Sequence, residues 1–177
     1  MHRLFVAFRP PAPVRSLLLA TMGGISGARW QTEDQLHLTL RFIGEVDRHL
    51  AGDVLAALGA VHHPAFDLAL NGLGLFERRG TPDMVWAGVT PQEPVRSLHN
   101  KIDQALARVG VPPDQRAFLP HITLARLKPS SGTVRNMMES SGGLTSALFR
   151  VDRFALVESR LTPDGAVYTD VETYSLD

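Results

Sequence analysis

The sequence predicts an α+β fold in which antiparallel sheets carry helices on their outer side and two similar halves each supply one histidine to a shared site. Three observations predict it. The tetrapeptide His37-Leu38-Thr39-Leu40 returns as His121-Ile122-Thr123-Leu124, 84 residues later and close to half the 177-residue chain. Short apolar alternations bounded by Pro and Gly read as strands. Between them, segments such as Val95–Val109 keep apolar residues at helical spacing.

Leu4–Phe8 is the first strand, ended by Pro10-Pro11. Pro13 suits the start of a helix that runs to about Met22 and stops at Gly23-Gly24. The stretch Trp30–Leu36 leads into the first motif strand, which ends near Ile43-Gly44. Asp47 is an N-cap for a helix with Leu50, Val54, Leu55 and Leu58 on its apolar side. Phe66–Leu70 is a strand with room to continue to Phe76. A turn around Arg79-Gly80-Thr81-Pro82-Asp83 then leads to a strand over Met84–Val89. The Val95–Val109 helix ends at Gly110 and Pro112-Pro113. The second motif strand spans Leu119–Leu127, and Ser130–Ser141 is a weaker helical segment. Phe149–Ser159 and Ala166–Tyr174 are closing strands turned by Thr162-Pro163-Asp164-Gly165. No long linker interrupts this loose duplication, so residues 1–177 read as one domain made of two lobes.

Composition excludes several classes of function. Eighteen basic and eighteen acidic residues give zero formal net charge, which argues against a large footprint on duplex nucleic acid and leaves recognition of one RNA end open. Cysteine is absent, excluding disulfides, thiol nucleophiles and Cys-ligated zinc. His62-His63 has no third ligand nearby in the sequence, so no metal site is expected. The opening apolar run is too short for a secretory signal, and nothing approaches the roughly 20 apolar residues of a membrane span. A cytoplasmic protein is the expectation.

Strand alternation places His37, Thr39 and Arg41 on one face, with Leu38, Leu40 and Phe42 on the other. His121 and Thr123 share a face in the same way. Two imidazoles across a cleft form a general acid/base pair, the minimal equipment for cleaving a phosphoester without metal. Threonine hydroxyls there can donate to phosphoryl oxygens, and an arginine adds bidentate recognition. Parity separates the two arginines that follow the motifs. Arg41 falls on the histidine face, whereas Arg126 falls on the opposite face unless a bulge or strand end after Leu124 turns it back. Phe5, Trp30 and Trp86 read as packing residues, and His99 as partly packed beside Leu98 and Ile102.

The stretch Trp30–Val46, the opening Arg3-Leu4-Phe5-Val6-Ala7-Phe8 and the block Pro120-His121-Ile122-Thr123-Leu124-Ala125-Arg126 resemble the two-histidine (2H) phosphoesterases. Within them the chain looks most like the RNA 2′,3′-cyclic phosphodiesterases, also called 2′-5′ RNA ligases. The resemblance implies a bilobal fold, two antiparallel sheets related by a pseudo-twofold axis about a central cleft. It implies hydrolysis of an RNA 2′,3′-cyclic phosphate to a 2′-phosphate with no metal and no cofactor. His37 would be the proton donor and His121 the acceptor. Thr39, Thr123 and Arg126 would hold the phosphate, and Phe5 would stack on a nucleobase. The implied partner is RNA with a cyclic phosphate end, tRNA fragments and small cyclic nucleotides included, bound by a monomer. Two other readings stand beside it: a reversible, ATP-independent ligase of 2′,5′-linked tRNA halves, and an RNA-binding module with a vestigial site. Intact copies of both motifs argue against the last.

Overall fold

The computed structural model describes residues 1–177. In chain order the elements are β1 (His2–Phe8), α1 (Ala12–Thr21), β2 (Arg29–Trp30), β3 (Leu38–Val46), α2 (Arg48–Gly59), β4 (Phe66–Arg78), β5 (Thr81–Thr90), α3 (Glu93–Ala107), β6 (His121–Arg126), α4 (Arg135–Ser141), β7 (Phe149–Val151), β8 (Arg153–Thr162) and β9 (Gly165–Ser175). A 3-10 turn at Glu33–Gln35 precedes β3.

The strands pair antiparallel along one path, β7-β4-β5-β6-β3-β1-β8-β9, with β2 beside β6. The two sheets expected from the sequence are the two four-stranded halves of this path. They meet at a single pair, Leu38 with Ile122, so the joint lies inside both repeated tetrapeptides. Because the ladder between β3 and β6 goes no further, residues flanking that pair are free to line a cleft.

One face of the path is dry. Leu4, Val6 and Phe8 of β1, Leu38 and Leu40 of β3, and Ile122 and Leu124 of β6 share a core with Val54 and Leu58 of α2 and with Val95, Leu98, Ile102 and Leu106 of α3. Each such side chain contributes roughly 1.5–3 kcal/mol by leaving water. On the other face of β1 a small cluster of Phe5, Ala7 and Val157 forms a floor. β1 is therefore buried on both sides. Asp47 caps α2 as its residue type predicts, its Oδ1 accepting from Leu50 N at 2.8 Å.

The structure departs from the sequence reading in three places. The strand expected over Phe149–Ser159 breaks at Asp152, whose carbonyl accepts from Leu176 N at 2.8 Å. β7 thus pairs with β4 and β8 with β1, so the chain changes halves there. The helix expected over Ser130–Ser141 begins only at Arg135, because Gly132 N is bound to Ser26 O and Lys128 N to Ser131 Oγ. The β4–β5 turn tightens to Arg79 and Gly80, with φ of 54° and 78°, the positive pair a two-residue hairpin needs. No helix is long and apolar enough to cross a membrane.

Candidate active site

The Leu38–Ile122 pair sets the geometry of both histidines. His37 stands one residue before β3 and His121 is the first residue of β6, so they lie on a diagonal across the joint. Ladder geometry spaces such diagonal neighbours at about 7–8 Å. Each ring is fixed in the same way. His37 Nδ1 binds Gln35 O at 2.6 Å and His121 Nδ1 binds Leu119 O at 2.7 Å, the carbonyl two residues upstream in both cases. A carbonyl accepts only, so Nδ1 carries the proton in both neutral rings and Nε2 keeps its lone pair. His37 Nε2 accepts from Thr39 Oγ1 at 2.9 Å. Thr123 Oγ1 has no such tie and donates to Met84 Sδ at 3.4 Å.

Aromatic walls flank each imidazole. Phe5 and Tyr168 lie 4.9 and 5.3 Å from the His37 ring, and Phe76 and Trp86 lie 4.9 and 5.9 Å from the His121 ring. Burial against these walls pushes His37 down to about 4, with help from the charges of His121, Arg9 and Arg126. His121 is lowered too, by burial first and by Arg126 second. Arg126 therefore acts on both rings. Arg9, which donates to Glu33 O at 3.1 Å, acts on the first.

Both motif strands carry a β-bulge at the fourth residue of the tetrapeptide. In β3, Ala7 pairs with Thr39 and Val6 with Arg41, leaving Leu40 unpaired. In β6, Trp86 pairs with Thr123 and Val85 with Ala125, leaving Leu124 unpaired. The extra residue reverses the alternation beyond it. Residues 37–42 and 121–126 consequently share one burial sequence: half-buried, buried, half-buried, buried, buried, exposed. The displaced carbonyls are both satisfied, Leu40 O by His99 Nδ1 at 2.6 Å and Leu124 O by Gln31 N at 2.8 Å.

The bulges decide between the two arginines. Arg126 turns onto the histidine face and is exposed there, beside the two rings it lowers. Arg41 turns away and is 6% exposed; its Nε binds Asp103 Oδ1 of α3 at 2.8 Å and its Nη2 binds Pro112 O. The parity argument that put Arg41 beside His37 is corrected by one inserted residue. Phe42, expected on the dry face, is 47% exposed and occupies the position matching Arg126.

Phe5 is 4% exposed, with one side of its ring on His37 and its edge to Tyr168. It lines a hollow of about 710 Å³ that opens beside His37 and includes Arg9, Gln35, Arg153, Val157 and Tyr168. Trp30 packs on the core as read from the sequence. Trp86 does not; it forms part of the site. Its indole lies over its cross-strand partner Gly74, where a Cβ would fall 2.2 Å from the ring. Gly74 and Phe76, two apart on β4, were signals for this wall that only the pairing with β5 makes legible. His99, read as partly packed, stacks on Phe118 at 4.0 Å while holding the first bulge.

Two bulged motif strands meeting at one pair, each presenting a histidine and a threonine to a cleft, define a two-histidine site on an antiparallel α+β scaffold. The chain belongs to the 2′-5′ RNA ligase superfamily, whose sequence model matches residues 26–162. That segment holds both histidines, both threonines and Arg126, while Phe5 and Tyr168 lie outside it. The chain is 35% identical to an RNA 2′,3′-cyclic phosphodiesterase of Thermus thermophilus, across 98% of this chain and 90% of the relative. It is 29% identical to an RNA 2′,3′-cyclic phosphodiesterase of Archaeoglobus fulgidus, across 97% and 99%. The crystal structure of Escherichia coli LigT complexed with 3′-AMP superposes with a TM-score of 0.78 at 26% identity, covering 99% of this chain and 97% of that one.

Proposed function

We propose that this protein is an RNA 2′,3′-cyclic phosphodiesterase that opens a terminal cyclic phosphate to a 2′-phosphate, with His37 and His121 as its acid and base. The observation that carries the reading is the matched pair of imidazoles: each Nδ1 is bound to the carbonyl two residues upstream, and the two rings face one cleft across the Leu38–Ile122 joint.

The steps follow from the residues. His121 Nε2 takes a proton from water as the water oxygen bonds to phosphorus. The P–O3′ bond breaks, and His37 Nε2–H gives its proton to O3′, leaving a 2′-phosphate and a 3′-hydroxyl. Each transfer is worth typically about 10²–10⁴-fold. With the cleft empty, burial keeps both rings deprotonated near neutrality. The donor therefore acquires its proton together with the anionic substrate, which offsets the desolvation and the repulsion from Arg126. Protonation of His37 also turns Nε2 from acceptor to donor, releasing the Thr39 hydroxyl to the phosphate. Thr123 donates from the other side, and Arg126 binds the phosphoryl oxygens in bidentate fashion. No group of three or more His, Asp and Glu side chains is placed to hold a metal ion, and no step here uses one.

The two lobes form one catalytic unit, a cytoplasmic monomer in this reading, whose substrates include tRNA fragments and small cyclic nucleotides. A 5′-hydroxyl in place of water would open the cyclic phosphate by the same proton transfers and form a 2′,5′ linkage, and the same site run in reverse would cleave that linkage. The test is product analysis on a short RNA ending in a 2′,3′-cyclic phosphate, with excess EDTA present. Conversion to a phosphatase-sensitive 2′-phosphate is the expected result. A substrate intact from pH 5 to 9, a 3′-phosphate product, or activity that returns only with added divalent metal would each overturn the mechanism.

A further inference from the structure

Arg29 lies on β2, directly opposite Arg126 of β6 in the antiparallel ladder. Direct partners point to the same side of a sheet, so Arg29 shares the cleft face with Arg126 and His121. The next pair supports this, since Trp30 and Ala125 both pack into the core on the other side. Two like charges directly opposite on a ladder repel. Neither arginine forms an ion pair with any carboxylate, although other exposed arginines of this chain, Arg150 and Arg153 among them, do. The repulsion is thus left for something outside the chain to relieve.

The far end of Arg29 is also placed. A Cβ on Gly165 would lie 3.3 Å from Arg29 Nη2 and 3.7 Å from Gln35 Nε2. The guanidinium therefore reaches over the rim of the hollow at the β8–β9 turn. It stands next to the residue whose amide holds Ala166 O at 2.9 Å and whose carbonyl holds His37. Arg126 sits close enough to lower both histidines, whereas the Arg29 guanidinium stands at the Gly165 end of the same face. One face thus carries two cations, Arg126 acting on the histidines and Arg29 reaching towards the β8–β9 turn.

Resting on the phosphodiesterase reading, we propose that Arg29 is a specificity-determining residue that binds a second phosphate of the substrate, the one on the 5′ oxygen of the terminal nucleoside. A cyclic phosphate spans O2′ and O3′, at one edge of the ribose, and the 5′ phosphate leaves from the other. A substrate held by Arg126 at the first needs a separate cation one sugar away for the second, and a guanidinium suits a phosphate in bidentate geometry. Arg29 makes the site favour RNA ends and 5′-phosphorylated nucleotides over a bare nucleoside 2′,3′-cyclic phosphate.

The experiment measures kcat/KM for one nucleoside 2′,3′-cyclic phosphate with and without a 5′-phosphate, in the intact protein and in Arg29→Gln and Arg29→Lys. The wild-type ratio should favour the 5′-phosphorylated substrate. Arg29→Gln should lower that ratio about tenfold, through KM rather than kcat, and Arg29→Lys should recover part of it because the charge returns. A purely structural role for Arg29 would lower both substrates in parallel and leave the ratio as it was, which would overturn the proposal. So would a wild-type ratio near one. Failure of the wild type to hydrolyse either substrate would instead remove the phosphodiesterase reading, and this proposal with it.

Discussion

The strand segments His37–Phe42 and His121–Arg126 are built to one plan and differ where the plan permits. Both hold a histidine by its Nδ1, both bulge at the fourth residue, and both then bury the fifth residue and expose the sixth. The fifth is Arg41 in one and Ala125 in the other; the sixth is Phe42 in one and Arg126 in the other. An arginine at the fifth position is a strut, because its guanidinium is spent on Asp103 and Pro112 beneath the sheet. An arginine at the sixth is free to meet an anion. Two arginines within five residues of their histidines thus serve different ends for a reason of one residue's register. The two sixth positions accordingly differ, with a half-exposed ring under the Arg3 guanidinium at one and a cation at the other.

Removing what the segments share should have the largest effect. His37→Ala and His121→Ala should each lower kcat by about 10³-fold or more, and the double variant should be little worse than either, because an acid and base acting in one step are not additive. Single-turnover rates on a cyclic-phosphate RNA measure this. Retention of most activity by either single variant would mean that the two copies are not partners.

Exchanging what differs comes next. Arg41→Ala strands Asp103 against a packed helix and should cost about 2–4 kcal/mol, less than for a fully buried pair because Asp103 is partly exposed. Thermal unfolding should fall by roughly 5–12 °C. Arg126→Ala should leave the unfolding temperature close to wild type and lower kcat/KM by about ten- to a hundredfold, the worth of a charge-assisted bidentate contact. Opposite results for the two variants, Arg41 controlling turnover and Arg126 stability, would reverse the assignment of faces.

Much of this was legible in the sequence, and the rest failed for identifiable reasons. The tetrapeptides announced both histidines and threonines because a strand's alternation is local. Asp47 announced its cap for the same reason. A bulge or strand end after Leu124 was open from the parity of Arg126, but none was expected at Leu40, since an unpaired leucine looks like any strand leucine until its neighbour's register is known. Arg41 was misplaced because the partner that pulls it under, Asp103, is 62 residues away on α3. Trp86 passed for a packing residue because its place beside His121 depends on Gly74, the side-chain-free position across the β4–β5 hairpin. Sites assembled from cross-strand neighbours are visible only after pairing.

The smallest expected effect sharpens the comparison in pH. His37 falls to about 4 in the fold from an ordinary value near 6.5, and His121 is lowered as well. Between those values the unfolded chain binds a proton that the folded His37 refuses, so stability rises with pH across roughly pH 4 to 6.5 and is lost as pH falls through that window. At 1.36 kcal/mol per unit, His37 contributes at most about 3 kcal/mol, less where solvent reaches the ring. His37→Gln should remove more of the acid-side loss than His121→Gln, because His37 is the more deeply shifted of the pair; urea unfolding at pH 4.5 and 7 measures both. The same shifts move catalysis. Unperturbed imidazoles would place the bell of kcat/KM across roughly pH 6–8. Two lowered rings centre it below 6.5, since the singly protonated free enzyme is most abundant there. A profile centred at pH 7.5 or above would show that burial does not lower the two rings, and acid sensitivity equal in the two variants would show that the halves bury their histidines alike.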